Sequence, residues 1–169
     1  MSITVTEHVE KPAKHISDSK VTLSVLMGPQ DTNSLGNVHG GVIMKLVDEA
    51  GALAAMRHAQ APTVTVAVDS MTFMLPIYVT NFVQFNAELT YVGRTSMEVR
   101  VEVIAENPIT GEKRLSNIAY LVYVALDRDS KPTPVPPLIF DTPEQEERAK
   151  QAQERQAYRK QQQEREKRA

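Results

Sequence analysis

The stretch from Val38 to Ala59 limits the fold more than any other part of the chain, because it is long, free of proline and rich in Ala, Leu and Met. Ile43, Val47, Ala50 and Ala54 recur at helical spacing, and Val42, Leu46 and Leu53 widen the stripe. Such a helix needs cover on most of its sides. Its surroundings read as strands. Val21–Met27 alternates over a short span. Val64, Val66 and Val68 alternate with Thr65, Ala67 and Asp69, and a phase change after Ser70 that makes Met71 and Phe73 apolar suggests a bulge. Val83, Phe85, Ala87, Leu89 and Tyr91 alternate with polar residues up to a tight turn at Gly93-Arg94. Met97, Val99, Val101 and Val103 follow, then a turn at Asn107–Gly111. The last strand, Leu115–Leu126, is apolar on both faces from Tyr120 and should be interior. Short turns force antiparallel neighbours. The expected class is therefore α+β, a curved antiparallel sheet wrapped around one long central helix. Its open edges call for a second copy of the chain.

Composition divides the chain into four parts. Residues 1–20 are polar, lack periodicity and are expected to form a flexible arm. Residues 21–127 hold the patterned domain. Residues 128–140 follow as a Pro-rich linker; the run from Asp127 to Pro137 alone contains four prolines. Residues 141–169 hold seven acids, eight Lys or Arg and seven Gln, with i, i+4 pairs such as Glu144/Arg148 and Glu164/Arg168. This tail is expected to be helical or disordered, solvated, and without a stripe to add to the core.

The same composition removes several functions. The chain has no cysteine, so disulfide scaffolds, Cys-based metal sites and thiol nucleophiles are excluded. A formal net charge of −2 gives no reason to expect nucleic-acid or membrane binding. No stretch approaches the roughly 18 apolar residues of a membrane span, and the first residues lack the apolar run of a signal peptide. A cytoplasmic location is expected.

Chemistry concentrates where the helix begins, at Asn33-Ser-Leu-Gly-Asn-Val-His39-Gly40-Gly41 and then Asp48-Glu49. Gly40 and Gly41 let a ligand approach the first helical turn. The N–H groups of that turn lack internal acceptors and suit a polarised carbonyl or an oxyanion. Asp48 shares a face with Gly41, Met44, Ala52 and Ala55, and has no clear ion-pair partner beyond Lys45, which Glu49 also claims at i, i+4. Asn33 offers an amide to hold a water or a carbonyl, although it also suits a turn. His39 suits either loop bracing or catalysis.

Together these residues resemble the helix-entry motif of hotdog-fold acyl-CoA thioesterases, closest to the broad-range cytosolic acyl-CoA hydrolases (brain acyl-CoA hydrolase-like, bacterial single-domain form). The similarity continues through Arg57-His58, Val66–Phe73 and Gly93–Glu98. The resemblance implies a single hotdog domain and hydrolysis of acyl-CoA to free fatty acid and coenzyme A. In it, Asp48 is general base or nucleophile, Asn33 comes from the partner chain, and the N–H of Gly40 or Gly41 polarises the thioester. It places Gly93, Arg94, Thr95 and Ser96 near the coenzyme A, with Arg94 at a phosphate. It further implies a homo-oligomer, a dimer pairing sheets side by side and then a trimer of dimers. No metal and no cofactor are expected, coenzyme A being part of the substrate. Met44, Leu46 and Met71–Leu75 are candidates for the acyl slot. Two other readings are an acyl-CoA-binding hotdog regulator and a hotdog enoyl-thioester hydratase or dehydratase using His39 and Asp48.

Overall fold

A computed structural model describes residues 11–168. Its main body is a five-stranded antiparallel sheet built from β2 (Val21–Leu26), β3 (Thr63–Phe73), β4 (Phe82–Val92), β5 (Ser96–Glu106) and β6 (Lys113–Ala125), in the spatial order β2-β4-β5-β6-β3. Helix α1 (Gly40–Ala59) connects β2 to β3 and packs on one face. That face is made by alternate residues: Val83, Phe85 and Leu89 of β4, Met97, Val99 and Val101 of β5, and Ala119, Leu121 and Tyr123 of β6 are all buried. The helix returns Ile43, Val47, Ala50 and Ala54, the stripe read from its spacing. The expected curved sheet around a central helix is present, with β6 interior between β5 and β3. Strand β3 carries two register shifts, between Thr65 and Ala67 and between Val68 and Ser70, so the irregularity lies before Ser70 rather than after it.

Three expectations about the flanks are corrected. Of the arm 1–20, residues 1–10 lie outside the described residues, but residues 11–20 are not loose. Lys14–His15 (β1) pairs in parallel with Leu138–Ile139 (β7), and Ile16 is buried. The cause is the open end of α1, whose last carbonyls lack internal donors. Lys14 Nζ donates to the carbonyls of Arg57 and His58 at 2.9 and 3.1 Å, and Lys11 Nζ to that of Ala59 at 3.1 Å.

The Pro-rich segment is more than a linker. Val135 and Pro136 are buried, and His58 Nε2 donates to the Pro136 carbonyl at 2.8 Å. Burial lowers the His58 imidazole below its ordinary range, an effect the Pro136 carbonyl partly offsets. The carbonyl acceptor requires the proton on Nε2, and Nδ1 is left without a partner among the described residues.

The charged tail forms α2 (Pro143–Arg168) and packs on the sheet face opposite α1. Ala149 and Ala152 are buried. Arg148 pairs with Glu88 of β4. Arg155 grips Glu98 of β5 through two bonds of 3.1 and 2.8 Å and lies 3.9 Å over the ring of Tyr120. Arg159 pairs with Asp69 of β3. The helix therefore crosses the strands from β4 toward the β3 edge. Its buried stripe consists of alanines and arginine stems, which a search for large apolar residues does not register.

Candidate active site

The loop before α1 is built by Asn33. Its side-chain oxygen accepts the N–H groups of Leu35 and Asn37 at 2.9 and 3.2 Å, and its own N–H donates to the Asn37 carbonyl at 2.7 Å. Gly36, at φ +82°, allows the chain to reverse between them. The oxygen of the amide is thus consumed by the turn, while its NH2 group has no acceptor among the described residues. The loop is fixed to the segment after β3 by the Val38 N–H on the Ile77 carbonyl, 2.8 Å.

His39 is the N-cap of α1, and its Nδ1 accepts the Gly41 N–H at 2.8 Å. This separates the two glycines that the sequence leaves equivalent. The Gly41 N–H is already engaged, which corrects its expected part as a carbonyl donor. The Gly40 N–H has no acceptor among the described residues, and the ring of Phe73 lies against the position a Gly40 side chain would take.

Asp48 lies two turns further along α1, half-buried. Its Oδ1 accepts from Thr65 Oγ1 at 2.8 Å and from the Tyr123 hydroxyl at 3.1 Å. Burial first, then the adjacent Asp48 charge, raises the Tyr123 hydroxyl far above its ordinary pKa, so it remains a donor. Lys45 turns instead to Glu49, at 3.7 Å. Sequence reasoning missed Thr65 and Tyr123. They are register partners on β3 and β6, a relation that appears only once the strands pair. Gly41, Met44, Asp48, Val68 and Met71 line a cleft of about 440 Å³ here.

Asn33 and Gly40 line a different cleft, of about 330 Å³, with Phe73, Met74, Leu75 and Asn117. One chain therefore does not bring Asn33 to Asp48. Of the acyl-slot candidates, Met44 and Met71 fall in the first cleft and Phe73 to Leu75 in the second; Leu46 packs against the core. β3 lines both clefts, through Thr65, Val68 and Met71 in the first and Phe73 in the second, and its outer edge, where Val64, Val66 and Val68 are 43%, 52% and 50% exposed, pairs with no other strand among the described residues. An edge of this kind is a template for another strand.

The Gly93–Ser96 turn joins β4 to β5, closed by the Gly93 N–H on the Ser96 carbonyl at 2.8 Å. The carbonyls of Arg94 and Thr95 accept from Val135 and Ala125 at 3.0 and 3.1 Å, so the backbone is anchored. The Arg94 side chain is exposed and has no ion pair among the described residues. Met97 pairs with Tyr123 and Tyr123 with Thr65, which sets the turn at the Asp48 end of the sheet.

The thioesterase superfamily model matches residues 35–112. An uncharacterized acyl-CoA thioester hydrolase of Bacillus subtilis is 39% identical over 128 residues, spanning 76% of this chain and 74% of its own. The cytosolic acyl coenzyme A thioester hydrolase of Mus musculus is 38% identical over 75% of this chain, which spans only 35% of that longer protein. The acyl-CoA hydrolase of Staphylococcus aureus, solved with butyryl coenzyme A, coenzyme A and coenzyme A disulfide, is 34% identical; it superposes with a TM-score of 0.86 over 93% of this chain and 96% of its own. A hexameric acyl-CoA thioesterase is 36% identical, with a TM-score of 0.87 over 90% of this chain and 97% of its own. The Staphylococcus aureus enzyme has also been solved with an aspartate, an asparagine or a threonine replaced by alanine. The asparagine precedes that aspartate by fifteen positions and the threonine follows it by seventeen.

Proposed function

The chain belongs to the acyl-CoA thioester hydrolase family of the thioesterase superfamily, and we propose that it hydrolyses acyl-CoA to a free fatty acid and coenzyme A at a site shared between two copies. The observation that carries the shared site is the separation of Asn33 and Asp48 into two clefts that both adjoin β3, a strand whose outer edge has no partner among the described residues. Pairing β3 with its copy brings one chain's Asp48 cleft against the other's Asn33 cleft. The spacing of Asn33, Asp48 and Thr65 supports the assignment, since it equals that of the asparagine, aspartate and threonine altered in the Staphylococcus aureus enzyme.

In this reading the Gly40 N–H and the Asn33 NH2 group receive the thioester oxygen. A donor of this kind is worth about 10²–10³ in rate. Asp48 takes a proton from water as its oxygen bonds to the carbonyl carbon; the C–S bond then breaks and the proton passes to the coenzyme A sulfur. Alternatively Asp48 attacks the carbonyl itself, the C–S bond breaks to release the coenzyme A thiolate, and water opens the resulting anhydride to the fatty acid and a regenerated Asp48 carboxylate, the proton set free passing to the thiolate. The carbonyl activator, the base and the groups that position the water all come from the protein, so the reaction asks for no metal and no cofactor. Arg94, exposed on its anchored turn, meets a coenzyme A phosphate. The assembly is a homo-oligomer, with a trimer of dimers supported by the hexameric relative. A cytosolic setting is supported by the mouse relative, and no helix among the described residues is long and apolar enough to cross a membrane.

The test is coenzyme A release from a panel of short to long acyl-CoAs, read with a thiol-reactive dye. The protein has no thiol of its own to add background. Turnover abolished in Asp48→Ala with fold and oligomer intact is the expected result. Tight acyl-CoA binding without release on any member would leave a non-catalytic acyl-CoA binder, and hydration of an enoyl-CoA without release would leave a hydratase.

A further inference from the structure

Both donors that reach the Asp48 carboxylate reach the same oxygen. Thr65 Oγ1 and the Tyr123 hydroxyl converge on Oδ1, and Oδ2 has no partner among the described residues. Tyr123 differs from Thr65 in one respect: its hydroxyl also lies 3.1 Å from the backbone carbonyl of Asp48. Its one proton is therefore shared between the side chain and the main chain of one helical residue, from a strand beneath. Tyr123 is completely buried. Room for it comes from Gly51, one turn after Asp48, where a Cβ would lie 3.0 Å from Tyr123 Cζ and closer still to the hydroxyl. Alanine, the better helix former, would close the gap.

We infer that Tyr123 is a positioning residue for the hydrolysis: its hydroxyl ties Oδ1 of Asp48 down to the helix, so that Oδ2 is the oxygen presented to the reacting centre, and Gly51 is the clearance that lets it do so. The inference rests on Asp48 being the reacting carboxylate. A hydroxyl with a strongly raised pKa is suited to the task, since it donates throughout the working range and leaves the carboxylate its charge. Lys45 lines the same cleft but pairs with Glu49, so Tyr123 and Thr65 are the polar groups that fix the carboxylate rotamer. Thr65 Oγ1 reaches Oδ1 alone, whereas the Tyr123 hydroxyl also lies against the Asp48 main chain. Loss of the tyrosine should thus free the carboxylate to rotate even with threonine in place.

The test uses the full-length protein and follows kcat, KM and the pH dependence of kcat/KM. Tyr123→Phe retains the ring and the packing. It is expected to lower kcat about 10- to 100-fold, the rate equivalent of a hydrogen bond to a charged group, with KM within a few-fold. The acidic limb of kcat/KM should move to higher pH, because a donor to the carboxylate has been removed. Gly51→Ala should move the limb the same way by displacing the hydroxyl. 3-Fluorotyrosine at position 123, a stronger donor of nearly the same shape, should move it to lower pH without disturbing the fold. A folded Tyr123→Phe variant with unchanged kcat and acidic limb overturns the inference. Should that variant fail to fold, an unmoved limb in the fluorotyrosine protein overturns it equally. Asp48→Asn separates the two levels: if it keeps full turnover, the reading of Asp48 is what fails.

Discussion

The imidazole Nδ1 of His39 accepts the N–H of Gly41 at 2.8 Å, so the side chain beside the two glycines closes the first turn of α1. That single bond decides which glycine N–H is left for a substrate, and it gives His39 a structural task that the sequence leaves open against a catalytic one.

His39→Ala is therefore expected to cost about 1 kcal/mol of stability, the usual worth of an N-cap, and to leave kcat within a few-fold of the parent. His39→Asn should restore the stability. Urea unfolding alongside coenzyme A release checks both. A loss of kcat beyond a hundred-fold in a stable variant would mean that His39 moves a proton, as a hydratase would need.

Removing the guanidinium that holds Glu98 tests the tail. Glu98 is 4% exposed, and its charge is balanced by Arg155 and a 2.6 Å bond from Thr90 Oγ1. Arg155→Ala leaves that charge buried without its partner, a change that costs about 3–5 kcal/mol. Equilibrium unfolding in urea reads the difference. A cost under about 0.5 kcal/mol would mean that α2 is the solvated appendage its composition suggests.

The stripe of Ile43, Val47, Ala50 and Ala54 was legible because one-dimensional spacing determines which face of a helix is apolar. The strands were legible for the same reason. What stayed hidden depends on pairs distant in sequence. Glu88, Glu98 and Asp69 are polar members of alternating strands, and only the crossing of α2 turns them into anchors. Lys14 read as one polar residue of an arm, yet its charge caps α1 from more than forty residues away. At the site, Asn33, Gly40 and Asp48 stood out because they cluster around one helix start. Thr65 and Tyr123 did not, since each looks like an ordinary member of its strand until the register sets them side by side under Asp48.

His58 sets a pH dependence for the fold. Burial lowers its imidazole pKa in the folded protein, while the unfolded chain takes up the proton near the ordinary value of about 6.5. Below that pH the unfolded state binds more protons than the folded one, so stability falls as pH drops from about 6.5 toward the lowered value, and above about 6.5 the group no longer affects it. His58→Gln should flatten the fall. Thermal melts of both proteins between pH 5 and 8, a window chosen about that imidazole value, measure it. Parallel curves would contradict the assignment.

If Asp48 of one copy works with Asn33 of another, two inactive variants should complement each other when their subunits mix. Asp48→Ala and Asn33→Ala are each expected to be inactive alone. Unfolded together and refolded as a mixture, they should recover about a quarter of parental turnover, because half the two-fold dimers are mixed and each mixed dimer holds one intact site. A mixture as inactive as its components, with mixed oligomers shown to have formed, would contradict the shared site and return both residues to a single chain.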